Sequence, residues 1–244
     1  MNFKEFTSKI EDDFQKNTHD APKKWIISKK LADKITPEGS VRDFYGYTSV
    51  IRLPDADRRK CLAIRDELFE NNSDLLVRLS DDTYHITVHA YCNVYSVSKN
   101  NAEIDCEMGH RINAIKSFFS EMDTKYGNKN IFLKALGPST NGSDVVSIKF
   151  VPETEKDYLI VNELFERSEQ IWPLGQPFTP HVSIGYFKLR EYNTQDIDRL
   201  YTNIQRISKK TDVHVCLPIK ELVFQIHHSM NDFRDLFKVR DCHC

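Results

Sequence analysis

Apolar residues recur along the chain at two spacings that replace each other several times. Phe3, Phe6, Ile10 and Phe14 fall three or four apart and predict an amphipathic helix docked on a larger body. Residues 19–39 are mixed; Trp25-Ile26-Ile27 is expected to anchor them and Pro37-Glu38-Gly39 to turn them. Beyond Phe44, alternation and helical spacing take turns. Strands are predicted over residues 47–53, 83–93, 131–136, 145–151, 180–187, 219–227 and 233–239. Helices are predicted over 56–71, 112–126, 153–171 and 194–207, the last capped by Asn193 or Thr194. A Gly/Ser-rich linker, 137–143, joins two of the strands. This order mixes hairpins with β–helix–β units and points to helices packed on mixed or antiparallel sheets, an α+β or α/β class. It holds one coarse duplication, a helix followed by a His-bearing strand, at 56–93 and again at 153–187.

Composition narrows the class. The chain has 244 residues, 40% hydrophobic and 29% charged, enough for one large domain or two intimate lobes. Lys plus Arg total 34 against 36 Asp plus Glu, a net charge of −2. That excludes a histone-like positive coat and leaves room for a small basic cleft that grips one or two phosphates. Cys61, Cys92, Cys106, Cys216, Cys242 and Cys244 are scattered and read as reduced thiols, so a cytoplasmic location is expected. No apolar stretch approaches the ~18 residues of a membrane span, and residues 1–6 carry charge where a signal peptide would be apolar. A monomer with no membrane partner is expected.

The chemistry concentrates in two strands. One reads Tyr84-His85-Ile86-Thr87-Val88-His89, the other Pro180-His181-Val182-Ser183-Ile184-Gly185. Side chains alternate across a strand, so His85 and Thr87 share one face while Ile86 and Val88 face an apolar layer. His181 and Ser183 stand likewise against Val182 and Ile184. Side by side, two such strands line a cleft with two imidazoles and two hydroxyls. Phosphodiester cleavage needs a base for the attacking oxygen and an acid for the leaving oxygen. Histidine titrates near neutrality and can serve as either. The hydroxyls can donate to the non-bridging phosphate oxygens, where charge builds. A third match, His227-His228-Ser229-Met230, is discounted because it runs from a strand end into the turn-like Asn231-Asp232, although it can still lie beside the site.

On these paired motifs the chain resembles the two-histidine phosphoesterase superfamily, which takes in LigT-type RNA ligases, cyclic phosphodiesterases and viral or phage enzymes that destroy oligonucleotide messengers. The stretch Gly39-Ser40-Val41-Arg42-Asp43-Phe44-Tyr45-Gly46-Tyr47-Thr48 also resembles the leading segment of a less characterised bacterial and fungal branch. The resemblance covers roughly residues 39–239. It implies a bilobed α+β, LigT-like fold, with two mixed or antiparallel sheets and outer helices around a central groove. It implies His85 and His181 as the acid–base pair and Thr87 and Ser183 as phosphate contacts, with no cofactor and no metal. Implied substrates are a 2′,3′-cyclic phosphate RNA end, a 2′–5′ linked oligonucleotide or a cyclic nucleotide. The expected organisation is an N-terminal helical extension over 1–38 packed on the main domain, a phosphoesterase domain of two pseudo-symmetric lobes over 39–240, and a tail over 241–244. The alternative is a non-catalytic module that binds nucleotide or RNA in the same groove; a pure binder has no need to keep both imidazoles and both hydroxyls.

Other candidates are weaker. His85 and His89 share a strand face by simple alternation but stand about 13 Å apart, too far for one metal ion. His89 and Tyr91 are expected to flank the groove, and Tyr45, in the turn before the first strand, to offer a stacking surface. Near the second motif Phe187 is expected on the histidine face and Tyr186 off it, with Arg190 following as a cation. Asp241-Cys242-His243-Cys244 lacks a second ligand pair at a convincing spacing.

Overall fold

Two antiparallel sheets carry the chain in the computed structural model, which describes residues 1–140 and 144–242. The elements are α1 (Phe3–His19), β1 (Asp43–Arg52), α2 (Asp55–Glu70), β2 (Leu76–Arg78), β3 (His85–Asn93), α3 (Asn101–Gly109), α4 (Ile112–Tyr126), β4 (Asn130–Thr140), β5 (Val145–Pro152), α5 (Glu155–Ile171), β6 (His181–Phe187), α6 (Thr194–Lys210), β7 (His214–Pro218), β8 (Leu222–Ser229) and β9 (Asp232–Lys238). One sheet has the order β3-β1-β8-β9 and the other β2-β6-β5-β4-β7. The class is α+β, with helices packed against the sheets. No helix among the described residues is long and apolar enough to cross a membrane.

Local chemistry explains the helices. Asn2 caps α1 in a reciprocal box with Glu5, and Phe6, Ile10 and Phe14 are its buried stripe. Asn193 caps α6 in the same way with Asp196, and Ile197, Leu200, Tyr201, Ile204 and Ile207 form its buried face. Each fully buried aliphatic side chain of this kind stabilises by about 1.5–3 kcal/mol. Thr154 caps α5 through the Asp157 amide.

Several elements differ from the sequence expectation. β2 is three residues long, too short for alternation to register. α3 buries only Ile104 and Met108 among polar neighbours, so no stripe announces it. β7 is a five-residue edge strand ended by Pro218. β1 starts at Asp43, which puts Tyr45 inside the strand. β4 runs on to Thr140, with the register shift at Leu136 and the positive φ of Gly137 absorbing one extra residue; Asn141, Gly142 and Ser143 of the expected linker lie outside the described residues. Trp25 is buried against Phe187, whereas Ile26 is 70% exposed and anchors nothing. At the C-terminal end Val239 and Cys242 are buried in a short helical turn against α4. Asp241 accepts from the Lys238 amide, so 241–242 is docked, while His243 and Cys244 lie outside the described residues.

Candidate active site

β3 is an edge strand of its sheet, and it lies against β6 of the other. On β3 the partly exposed residues are His85, Thr87, Ala90 and Asn93; Ile86, Val88, His89, Tyr91 and Cys92 are buried. Strict alternation fails twice. Thr87 stands opposite Val50 and His89 opposite Ser49, so Val88 is an extra residue, and a second skip follows before Asn93. On β6 Ser183 stands opposite Ser147 and Gly185 opposite Val146, which makes Ile184 the extra residue. Both bulges thus fall three residues after the histidine. A bulge turns every later side chain to the other face.

The two halves match in register as well. β1 places Arg52 opposite His85, Ile51 opposite Ile86 and Val50 opposite Thr87. β5 places Lys149 opposite His181, Ile148 opposite Val182 and Ser147 opposite Ser183. Each imidazole is also held by the backbone two residues upstream. His181 Nδ1 donates to the Thr179 carbonyl at 2.8 Å, and His85 is held by the Thr83 backbone. A carbonyl only accepts, so the His181 proton sits on Nδ1 and its Nε2 offers a lone pair.

His85, Thr87 and Ser183 line one cavity of about 240 Å³. Phe44, Tyr186 and Phe233 add aromatic walls, and Lys34 adds a cation whose Nζ lies 5.0 Å from the Phe44 ring centre and 5.4 Å from that of Tyr186. His227 lines the same cavity, its Nδ1 donating to the Phe44 carbonyl at 2.6 Å. Burial pushes His85, His181 and His227 each down to about 4. Arg52 adds to the fall at His85, Lys149 and His85 add to it at His181, and His85 and Lys34 add to it at His227. His85 thus lies within electrostatic reach of both His181 and His227.

The chain shares its fold with a known structure. ATU0111 of Agrobacterium tumefaciens, a conserved protein of unknown function, aligns at TM-score 0.68 and 13% identity over 93% of this chain and 98% of that one. More distant neighbours include E. coli LigT complexed with 3′-AMP, at TM-score 0.46 and 11% identity over 80% of this chain and 97% of LigT. TT0787 of Thermus thermophilus aligns at 0.47 and 10% identity over 79% and 96%. No protein-family profile matches the chain, and no curated protein sequence matches it.

Of the residues expected at the groove, His181 does not line this cavity but stands within electrostatic reach of His85, and five others stand elsewhere. The β3 bulge turns His89 inward, where Nε2 meets Glu169 of α5 at 3.0 Å and the ring packs on Tyr91 and Phe165. Tyr91 is 0% exposed, its hydroxyl between Ser49 and Ser168. The β6 bulge reverses the other pair, so Tyr186 lines the cavity and Phe187 is buried against Trp25 and Tyr192. Tyr45 faces α3 and donates to Asp105 at 2.5 Å. Arg190 is committed to Asp196, Asp74 and the Tyr192 ring. Conversely Lys34 and Phe233 reach the cavity from segments that carry no motif, Phe44 from the stretch Gly39–Thr48, and His227 from the third, discounted match, which does lie beside the site. A repeated Thr-x-His, Thr83 to His85 and Thr179 to His181, is the sequence signal for the backbone clamp.

Proposed function

We propose that the chain is a metal-independent phosphodiesterase of the two-histidine kind, acting on ribose phosphodiesters such as a 2′,3′-cyclic phosphate, a 2′–5′ linked oligonucleotide or a cyclic nucleotide. The observation that carries this reading is the duplicated constellation of histidine, hydroxyl, bulge and upstream carbonyl on β3 and β6. One imidazole takes the proton of a ribose hydroxyl or water as the new O–P bond forms. The other gives its proton to the leaving oxygen as the old P–O bond breaks. Thr87 and Ser183 donate to the non-bridging oxygens. Burial keeps both imidazoles neutral at pH 7; the negative charge of a bound phosphodiester raises the proton affinity of the ring that faces it. His227, with its Nδ1 proton committed to Phe44, offers Nε2 as an acceptor to the ligand.

His85→Ala and His181→Ala are each expected to lower kcat/KM by about 10²–10⁴-fold in EDTA across a panel of these substrates. Retained activity in both variants overturns the assignment, as does loss of wild-type activity on chelation. A tight nucleotide complex with no product over hours identifies a binding module instead.

A further inference from the structure

Each motif histidine faces a cation across its strand pair, and the two cations are not equivalent. Arg52 of β1, opposite His85, is ion-paired with Asp235 of β9, whose carboxylate also accepts from the Gln225 amide. Lys149 of β5, opposite His181, has no ion pair among the described residues; Asp13 of α1 acts on it only through space. Burial pulls Lys149 down to about 8, so it remains charged at neutral pH. The groups around His85 are Arg52 on β1, His227 on β8 and His181 on β6. Those around His181 are Lys149 on β5 and His85 on β3, with Asp13 of α1 behind the lysine. After burial, Lys149 is the largest influence on His181, whereas Arg52 is the smallest on His85. Beside Lys149 on the same face, the buried Ser147 hydroxyl has no hydrogen-bond partner among the described residues.

We propose that Lys149 is a positioning residue for the paired histidines: its unpaired ammonium across the β5–β6 register keeps His181 free of a proton, while Asp235, by neutralising Arg52, lets His85 take one up as the phosphodiester binds. The proposal rests on the phosphodiesterase reading of the groove. In that reaction His181 Nε2 takes the proton from the attacking oxygen, His85 releases its proton to the leaving oxygen, and exchange with solvent restores both. The lysine thus sets which ring starts turnover as base.

The test is an NMR titration of the histidine ring protons in the ligand-free full chain. In the wild type the His181 midpoint is expected below that of His85. Lys149→Met is expected to raise the His181 midpoint by about one pH unit, a roughly tenfold gain in proton affinity, and to move His85 by less than about 0.3. Lys149→Arg is expected to leave both in place, and Asp235→Asn to lower His85 alone. A wild-type order with His85 at or below His181 overturns the proposal, as does an unmoved His181 in Lys149→Met. The wild-type order needs no variant, so misfolding of Lys149→Met leaves the test standing. The titration uses no substrate. If the expected order is found and no phosphodiester is cleaved, the catalytic reading fails by itself; if substrate is cleaved and the order is reversed, the role of Lys149 fails by itself.

Discussion

At the scale of single residues, the groove sets small polar groups against tight packing. Thr87 and Ser183 each present one hydroxyl where charge develops on the phosphate in the proposed reaction. Thr87→Val and Ser183→Ala are therefore expected to lower kcat by about 10²-fold with KM changed far less, which steady-state kinetics would read. An equal loss in KM alone would make them plain binding contacts. Gly46 shows the packing side. A Cβ there would lie 2.5 Å from the Cys92 carbonyl oxygen and 2.8 Å from His227 Nε2. The backbone contact has no flexible end to move, so Gly46→Ala is expected to destabilise by about 1–3 kcal/mol in urea denaturation. It would also push the His227 ring off its place beside Phe44.

At the scale of elements, the two bulges decide which side chains meet. Legibility in the sequence stopped there. His85, Thr87, His181 and Ser183 precede the bulges, so simple alternation reads their faces correctly. His89, Tyr91, Tyr186 and Phe187 follow them, and each lands on the face opposite to its period-two expectation. An extra residue leaves no mark in composition, because Val88 and Ile184 are ordinary strand residues. Long amphipathic helices such as α4, α5 and α6 were readable from their stripes, while β2, α3 and β7 carry too few apolar positions to declare a period. The displaced His89 becomes a link between β3 and α5 through Glu169, which also accepts from the Leu174 and Gly175 amides. His89→Ala removes a buried ring and that bond, and is expected to cost about 2–3 kcal/mol of stability. Activity per folded molecule should stay within about twofold of wild type. A large loss of kcat at unchanged stability would return His89 to the groove.

At the scale of the whole molecule, the groove makes stability depend on pH. His85, His181 and His227 each titrate near 6.5 when unfolded and are pushed down to about 4 in the fold, by burial first. Between those values the unfolded chain binds more protons than the folded one, so stability rises with pH through that window. It is fully present above about 6.5 and is lost as pH falls toward about 4. Each such histidine removes about 1.5 kcal/mol between pH 6.5 and about 5. Glu67, Glu163 and Asp74 are held below their ordinary carboxylate values and lose their contribution only at lower pH, so they do not blur this range. His214 works in the opposite direction, raised by its bond to Glu153, but it lies at the surface, where water screens it. The net expectation is a urea midpoint that drops steadily from pH 6.5 to about 5. His227→Phe keeps a ring against Phe44 and removes one of the four buried histidines, His89 included, that burial holds below the ordinary value, so it should make that slope shallower without abolishing it. A midpoint that stays level over this range, or a slope untouched by His227→Phe, would mean that the imidazoles reach water and are not held neutral by the closure of the two sheets around them.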